Sequence, residues 1–144
     1  MWTGQAASRV RELSESARTA AEAAAALGCE VGAIANSLVF MSDDEAVLVL
    51  TSGRHQVDVT ALATRWGRGR LRRATPEQVR RATGQAIGGV APVGHPRPLP
   101  TVVDEALKDY PRLWAAAGTP HTVFPTTVAE LLHLTEGILL PVGP

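Results

Sequence analysis

Cysteine is almost absent from this chain of 144 residues: Cys29 is the only one, so an internal disulfide is excluded. A zinc site built from several cysteines is excluded for the same reason. Long apolar runs are missing as well, since none approaches the roughly 18–20 residues that span a bilayer. Charges occur early in the sequence, at Arg9 and Arg11, and leave no apolar region of a secretory leader. We therefore expect a cytoplasmic protein without a membrane partner.

Net charge is also lacking: 14 basic residues balance 14 acidic residues, so no overall field draws the protein to nucleic acid. Thirteen of the 14 basic residues are arginine, whose planar group suits bidentate contact with phosphate. Arginines crowd residues 65–81, and this cluster has two interpretations: an ordinary solvated surface, or a tRNA-binding patch. The candidates for such a patch are Arg65, Arg68, Arg70, Arg72 and Arg73.

The length and an apolar fraction of 45% fit one domain with one substantial core. Short apolar, β-branched runs predict strands at residues 9–13, 37–41, 46–51, 71–74, 101–104 and 121–125. The second and third of these runs are separated by a polar break, which predicts an antiparallel hairpin. Capping residues predict helices at residues 19–27, 58–66, 75–83 and, after Thr126, up to residue 134. The alternation indicates a mixed α/β or α+β domain over residues 1–136, followed by a tail over residues 137–144.

A glycine-rich segment at residues 83–95 carries the densest chemical signal. Gly88 and Gly89 let a ligand approach the backbone without a Cβ in the way. Exposed N–H groups in such a segment suit a carbonyl oxygen or an oxyanion. The same glycines equally fit a tight turn that binds nothing, because their spacing matches neither the dinucleotide-binding nor the phosphate-loop motif. Both interpretations stay open at this point.

Histidine and serine give weaker signals. None of the four histidines has the close pairing of a helical zinc motif, so we expect no metal. No Gly-x-Ser-x-Gly sequence is present, which leaves a serine-hydrolase triad without support. His95 and His121 lie in or beside predicted loops, and this position makes them the better site candidates.

Several segments, such as Thr-Ala-Ala-Glu at residues 19–22 and Gly-Gly-Val-Ala-Pro at residues 88–92, follow one another in a recognisable order. The others lie at residues 27–29, 34–40, 50–53, 57–58, 83–84, 100–104 and 117–124. Together they resemble the YbaK/prolyl-tRNA synthetase-associated editing-domain family over residues 10–134. The resemblance implies a compact mixed α/β domain with a curved, barrel-like sheet flanked by short helices.

The activity that this resemblance implies is that of an aminoacyl-tRNA deacylase. Such a protein acts in trans, hydrolyses the ester of mischarged aminoacyl-tRNA and needs no cofactor. The implied partners are the acceptor end of aminoacyl-tRNA and an aminoacyl-tRNA synthetase.

By the same resemblance, the site is a pocket between the loop at residues 88–94 and the strand that begins near Ser37. The residues implied in catalysis are Asn36, Gly88 and Gly89. Substrate contacts are implied for Ser37, Val90, Pro92, Gly94, His95, Asp104, Gly118, Thr119 and His121. Asn36 departs from the family, which usually has lysine at this position. Two functions therefore stay open: the deacylase, or a catalytically weakened binding module that recognises an aminoacyl-nucleotide, tRNA or protein.

Overall fold

The computed structural model of the chain describes residues 9–15, 17 and 19–143. Its strands are β1 (Arg11–Glu12), β2 (Ile34–Ser42), β3 (Glu45–Ser52), β4 (Leu71–Arg73), β5 (Thr101–Asp104), β6 (Leu113–Ala116), β7 (Thr122–Thr126) and β8 (Ile138–Leu140). Its α-helices are α1 (Ala20–Leu27), α2 (Val59–Trp66), α3 (Pro76–Thr83) and α4 (Val128–Thr135). Two short 3-10 helices span Val31–Ala33 and Glu105–Asp109. Within the described ranges, no helix has the length and apolar character that crossing a membrane requires.

One mixed sheet contains all of these strands, in the order β1-β7-β6-β2-β3-β5-β8, with β4 also paired to β2. The central pair is the predicted hairpin: β2 and β3 are antiparallel, from Ala35 opposite Ser52 to Ser42 opposite Glu45. Strands β5 and β8 join in parallel beyond β3, and β6 joins β2 in parallel on the other side. The predicted mixed α/β class is confirmed.

Helices cover both faces of the sheet, because successive side chains of a strand point to opposite sides. On one face, Val39 and Leu50 pack with side chains of α3 and α4. On the other, Phe40 packs with Leu62 of α2, and Ile34 packs with the alanines of α1. The near-continuous apolar runs of β2 and β3 follow from this arrangement, since a strand buried on both sides has no polar face.

The edge of β2 that faces away from β3 is covered at both ends and open in the middle. Strand β6 pairs only with Ile34 and Ala35, whereas β4 pairs with β2 from Phe40 onward. Gly53 N–H donates to Ile34 O, so even-numbered residues of β2 direct their backbone groups towards β3 and odd-numbered residues direct theirs away. The uncovered stretch, residues 36–38, is called the edge gap below, and the backbone groups of Ser37 point into it.

Helix ends were the most predictable feature, because capping depends on neighbouring residues alone. Thr19 forms the expected capping box with Glu22, and Thr75 caps α3 with Pro76 in its first turn. The predicted cap of the last helix is one residue early. Thr127, not Thr126, accepts from the Glu130 N–H at 3.1 Å, while Thr126 remains on β7.

The structure differs from the expectation of a tail over residues 137–144. Residues Ile138–Leu140 form β8 against β5, and Val142 is fully buried beside α2. Gly137 permits this close approach, because a Cβ there would lie 2.9 Å from Thr101 O. Strand β6 is likewise absent from the sequence-based expectations, which assign no element between residues 104 and 121.

Candidate active site

A cleft opens at the edge gap, where β2 and β6 separate. The space between its walls, including the solvent at its open mouth, is about 460 Å³, of which only a small part is enclosed. The start of α1, the loop around Gly88 and the turn at Thr119 form its walls. The described lining residues are Ala17, Thr19, Ala20, Ala23, Ile34, Ala35, Asn36, Ser37, Gly88, Val90, Trp114, Ala115, Ala116, Thr119, Pro120, Thr122 and Val123. None of these side chains titrates near neutral pH, so the described walls offer hydrogen-bonding groups and no acid or base.

Asn36 and Ser37 contribute polar side chains from opposite faces of β2. Asn36 is half-buried, and its amide makes no hydrogen bond to the described residues. The Ser37 hydroxyl is inaccessible to solvent and also lacks a partner in the described part of the chain. Buried hydroxyls are almost always paired, so an unpaired one beside a cleft indicates a place for a ligand atom.

The amides of the glycine-rich loop divide into two groups. Gly89 N–H donates to Ala86 O at 3.3 Å, and Ala91 N–H donates to Gln85 Oε1 at 2.7 Å. By contrast, the amides of Gly88 and Val90, which flank Gly89, donate to no atom of the described residues. The loop is therefore held by alternate residues, and the two free donors lie at the cleft.

Gly89 supports the loop from behind the cleft. A Cβ at this position would overlap the Thr119 carbonyl carbon and lie 2.6 Å from Pro120 N. The Gly89 carbonyl accepts from the Gly118 N–H at 3.0 Å, which ties the two walls together. The family resemblance implies a direct role of Gly89 in catalysis, but its N–H already donates to Ala86 O and its Cα packs against the Thr119–Pro120 peptide.

Gly89→Ala should lower the free energy of unfolding by about 1–3 kcal/mol, the usual cost of forcing a methyl group against atoms that cannot move aside. Urea unfolding of the purified protein measures this change. Gly69→Ala is the matched control, because its Cβ would lie 3.5 Å from an Asp43 oxygen, an ordinary contact. Equal stability of the two variants would show that the walls are not in tight contact.

Pro92, Gly94 and His95 lie away from the cleft, in a separate depression beside the end of α4. The His95 Nε2 lies 2.8 Å from Ala91 O, and burial lowers the pKa of this histidine. A neutral imidazole that donates to Ala91 O helps to hold the loop. His121 is exposed, and its backbone N–H donates to Thr119 Oγ1 at 3.2 Å.

Asp104 is buried on β5 and is remote from Asn36. Strand β3 lies between them, so the two backbones are about 10 Å apart at the usual strand spacing. Asp104 Oδ2 accepts from the Ser52 N–H at 2.9 Å and lies 3.1 Å from His55 Nδ1. Its other oxygen accepts from the Ala106 N–H at 2.9 Å. This carboxylate joins β3 to the 3-10 helix after β5, a structural role that differs from the substrate contact inferred from sequence.

The predicted arginine patch does not line the cleft, and most of its members have partners within the protein. Arg65 donates to Pro141 O at 3.0 Å, and Arg68 pairs with Glu45 at 2.7 Å. Arg73 lies over the Phe40 ring. Arg70 and Arg72 are exposed. Among the described residues, no three His, Cys, Asp or Glu side chains are placed to hold a metal ion.

Sequence reasoning missed the α1 side of the cleft, which Thr19, Ala20 and Ala23 form. The alanine run indicated close packing against a neighbour, since short side chains allow close approach, but it did not identify that neighbour. The neighbour includes Trp114 of β6, the strand that the sequence did not predict.

Comparisons with known proteins agree on one family. The model of the aminoacyl-tRNA editing domain matches residues 14–134. A solved structure described as "a putative trans-editing enzyme for prolyl tRNA synthetase" superposes with a TM-score of 0.88 at 50% identity, covering 94% of this chain and 85% of the other.

This chain matches most of the length of one curated relative and a small part of another. The "Putative Cys-tRNA(Pro)/Cys-tRNA(Cys) deacylase EbsC" of Enterococcus faecalis is 26% identical over 86% of this chain and 76% of its own. The proline–tRNA ligase of Lactiplantibacillus plantarum is 34% identical over 56% of this chain, which corresponds to only 14% of the ligase. Because the family model matches most of its length, the chain belongs to the aminoacyl-tRNA editing domain family.

Proposed function

We propose that the cleft hydrolyses the ester between a mischarged amino acid and the 3′-terminal ribose of a tRNA. One observation carries this proposal: the unpaired donors of Gly88, Val90 and Ser37 meet in one cleft beside Asn36. Donors that are free and held in place suit an oxygen that gains negative charge during acyl transfer.

The reaction needs little more than this arrangement. Water adds to the ester carbonyl, the carbonyl oxygen becomes an oxyanion, and the bond to the ribose oxygen then breaks as that oxygen takes a proton. In the proposal, the Gly88 and Val90 amides stabilise the oxyanion. No titratable side chain is present among the described lining residues, so the proton is carried by water or by the ribose hydroxyl next to the ester. An acyl ester is activated enough for positioning to supply much of the rate.

The decisive assay is a panel of alanyl-, cysteinyl- and seryl-tRNAs, incubated with the purified protein and followed by release of the amino acid. We expect hydrolysis of at least one member well above the buffer rate. The name of the solved relative points to tRNAs charged by prolyl-tRNA synthetase as the first to test, and to that synthetase as a partner. Rates equal to buffer for the whole panel would refute the deacylase and leave the binding module. A cytoplasmic location is part of the proposal, because charged tRNAs are used there.

Asn36→Lys should raise the deacylation rate by about tenfold. A hydrogen bond from a charged donor contributes about 1.5–3 kcal/mol against about 1 for a neutral one, and 1.36 kcal/mol is one decade in rate. Single-turnover kinetics on the best substrate of the panel measure the change. Asn36→Met is the control, since it adds the length of a lysine without its charge.

The same pair of variants tests the second candidate, a binding module weakened by the loss of lysine. That candidate requires a wild type close to the buffer rate and a large gain in Asn36→Lys. An active wild type whose rate does not change in either variant would show that position 36 is not central to the reaction.

A further inference from the structure

A second concave surface lies at the other end of β2, and the proposed reaction does not use it. Its floor is apolar, made of Met41, Ala46 and Leu99. Helix α3 forms one wall, and the proline-rich segment at residues 96–100 forms the other. Three arginine side chains stand around it: Arg72 from β4, Arg81 from α3 and Arg97 from the proline-rich segment. This surface is called the arginine groove.

The three arginines are weakly engaged. All are exposed, and Arg97 makes no ion pair or hydrogen bond with the described residues. Arg81 pairs with Glu77 at 3.3 Å, but both side chains are largely in solvent, where such pairs contribute little. Arg72 donates to Gln78 Oε1 at 3.4 Å, a long hydrogen bond.

Carboxylates on the groove are fewer and lie at one end. Asp44 and Glu45 belong to the β2–β3 turn. Glu45 is already paired with Arg68, which approaches to 2.7 Å. With both ion pairs set aside, the groove presents two arginines, Arg72 and Arg97, against one carboxylate, Asp44, and Arg81 adds a third cation in a solvent-exposed pair. This balance favours an anionic ligand, although the net charge of the whole chain is zero.

The groove and the cleft are close enough for one ligand to occupy both. Met41 on the groove floor is four residues from Ser37 on the same strand, a separation of about 13 Å at 3.3 Å per residue. Both side chains point to the same face of β2, because they are an even number of residues apart. The chain from Gly88 to Arg97 runs from one surface to the other. Val39, between them on that face, is buried under α3 and α4, so a strand that joins the two surfaces passes outside α3. At 3.4 Å of rise per nucleotide, it needs at least about four nucleotides.

We infer that the arginine groove binds the phosphates of the nucleotides that precede the esterified ribose in the acceptor end of tRNA. This inference rests on the proposed function, which places the terminal ribose in the cleft. The groove floor has no aromatic side chain, so bases have no stacking platform there. Recognition is therefore of the sugar–phosphate backbone and is independent of the base sequence.

The experiment measures binding and hydrolysis separately. A fluorescent acceptor-stem RNA hairpin ending in CCA, without an amino acid, is titrated with wild type and with the triple variant R72A/R81A/R97A between 50 and 200 mM salt. We expect about tenfold weaker binding of the variant and a salt dependence shallower by about 2, since each phosphate contact on a single strand contributes about 0.7 to the slope. R112A is the control, because Arg112 is exposed next to β6, towards the opposite end of β2.

Hydrolysis of an aminoacyl-adenosine, which lacks the preceding phosphates, should be equal in wild type and triple variant. Unchanged RNA affinity and salt dependence in the triple variant would overturn the inference, as would an equal loss in R112A. The triple variant R72Q/R81Q/R97Q nearly keeps the side-chain length and removes the charge. It must show the same loss of RNA affinity if charge is the cause. If neither the wild type nor the variants hydrolyse aminoacyl-tRNA or aminoacyl-adenosine, the proposed reaction is refuted. The RNA titration still decides whether the groove binds the acceptor end.

Discussion

Replacing the Val90 amide by an ester should lower kcat for deacylation by about 100- to 1,000-fold, the usual effect of removing one oxyanion donor. Incorporation of α-hydroxyisovaleric acid at position 90 makes this change, since it keeps the side chain and replaces the N–H group by oxygen. It also weakens the Gly89 carbonyl as the acceptor of the Gly118 N–H, an effect on stability that the thermal melt reports. The Val90 amide has no partner in the described chain, so its removal breaks no hydrogen bond that the fold uses. Single-turnover rates, together with a thermal melt, separate the catalytic effect from any effect on stability.

The matched control is the same replacement at Ala91, one residue along. The Ala91 N–H donates to Gln85 Oε1 at 2.7 Å, so its loss should reduce stability by about 1 kcal/mol and leave the chemical step nearly unchanged. A Val90 ester that hydrolyses its substrate at the wild-type rate would contradict the assignment of this amide to the oxyanion.

Asp104→Ala should lower the free energy of unfolding by about 3–5 kcal/mol. The carboxylate is 1% exposed and accepts from the backbone N–H groups of Ser52 and Ala106. Hydrogen bonds to a charged group contribute about 1.5–3 kcal/mol each, and the donors left behind have no other partner. Urea unfolding monitored by tryptophan fluorescence measures the loss.

Asp109→Ala is the control for this variant, because the Asp109 side chain is 62% exposed in its ion pair with Arg54. Surface pairs of this kind contribute little to stability, because solvent and salt screen them.

Comparing Asp104→Ala with Asp109→Ala also decides between two roles for Asp104. If Asp104→Ala kept its stability but lost binding of aminoacyl-adenosine, the contact with substrate expected from sequence would be right and the structural role wrong.

Features that depend on neighbouring residues were predictable from the sequence. The capping boxes at Thr19 and Thr75 need only residues one turn apart, and the β2–β3 hairpin needs only a short polar break. By contrast, β6 and β8 pair with strands that are far away in sequence. Neither has a β-branched run like the Thr-Val-Val by which β5, a strand as short as β6, was predicted, so tertiary pairing decides that they are strands.

The candidate site was predictable in part. The difference between the residues placed correctly and those placed wrongly has a physical cause. The resemblance to a known family brought Asn36, Ser37 and the glycine-rich loop together, and the structure places them at one cleft. The resemblance could not show that only the Gly88 and Val90 amides are unpaired at the cleft. Nor could it show that the segment then leaves the cleft, so that Gly94 and His95 line a separate depression. Partners such as the Gln85 side chain, which accepts from the Ala91 N–H, decide which amides of the loop remain unpaired. No sequence pattern predicts this role of Gln85.

The edge gap of β2 has a consequence for the solubility of the protein. An uncovered sheet edge normally invites a strand from another molecule, which is a route to aggregation. Here β6 and β4 flank an opening of only three residues, whereas an ordinary strand is about five to six residues long. A foreign polypeptide strand cannot pair along so short an opening. At this place, β2 can therefore leave the backbone groups of Ser37 unpaired without offering a template to another copy of the chain.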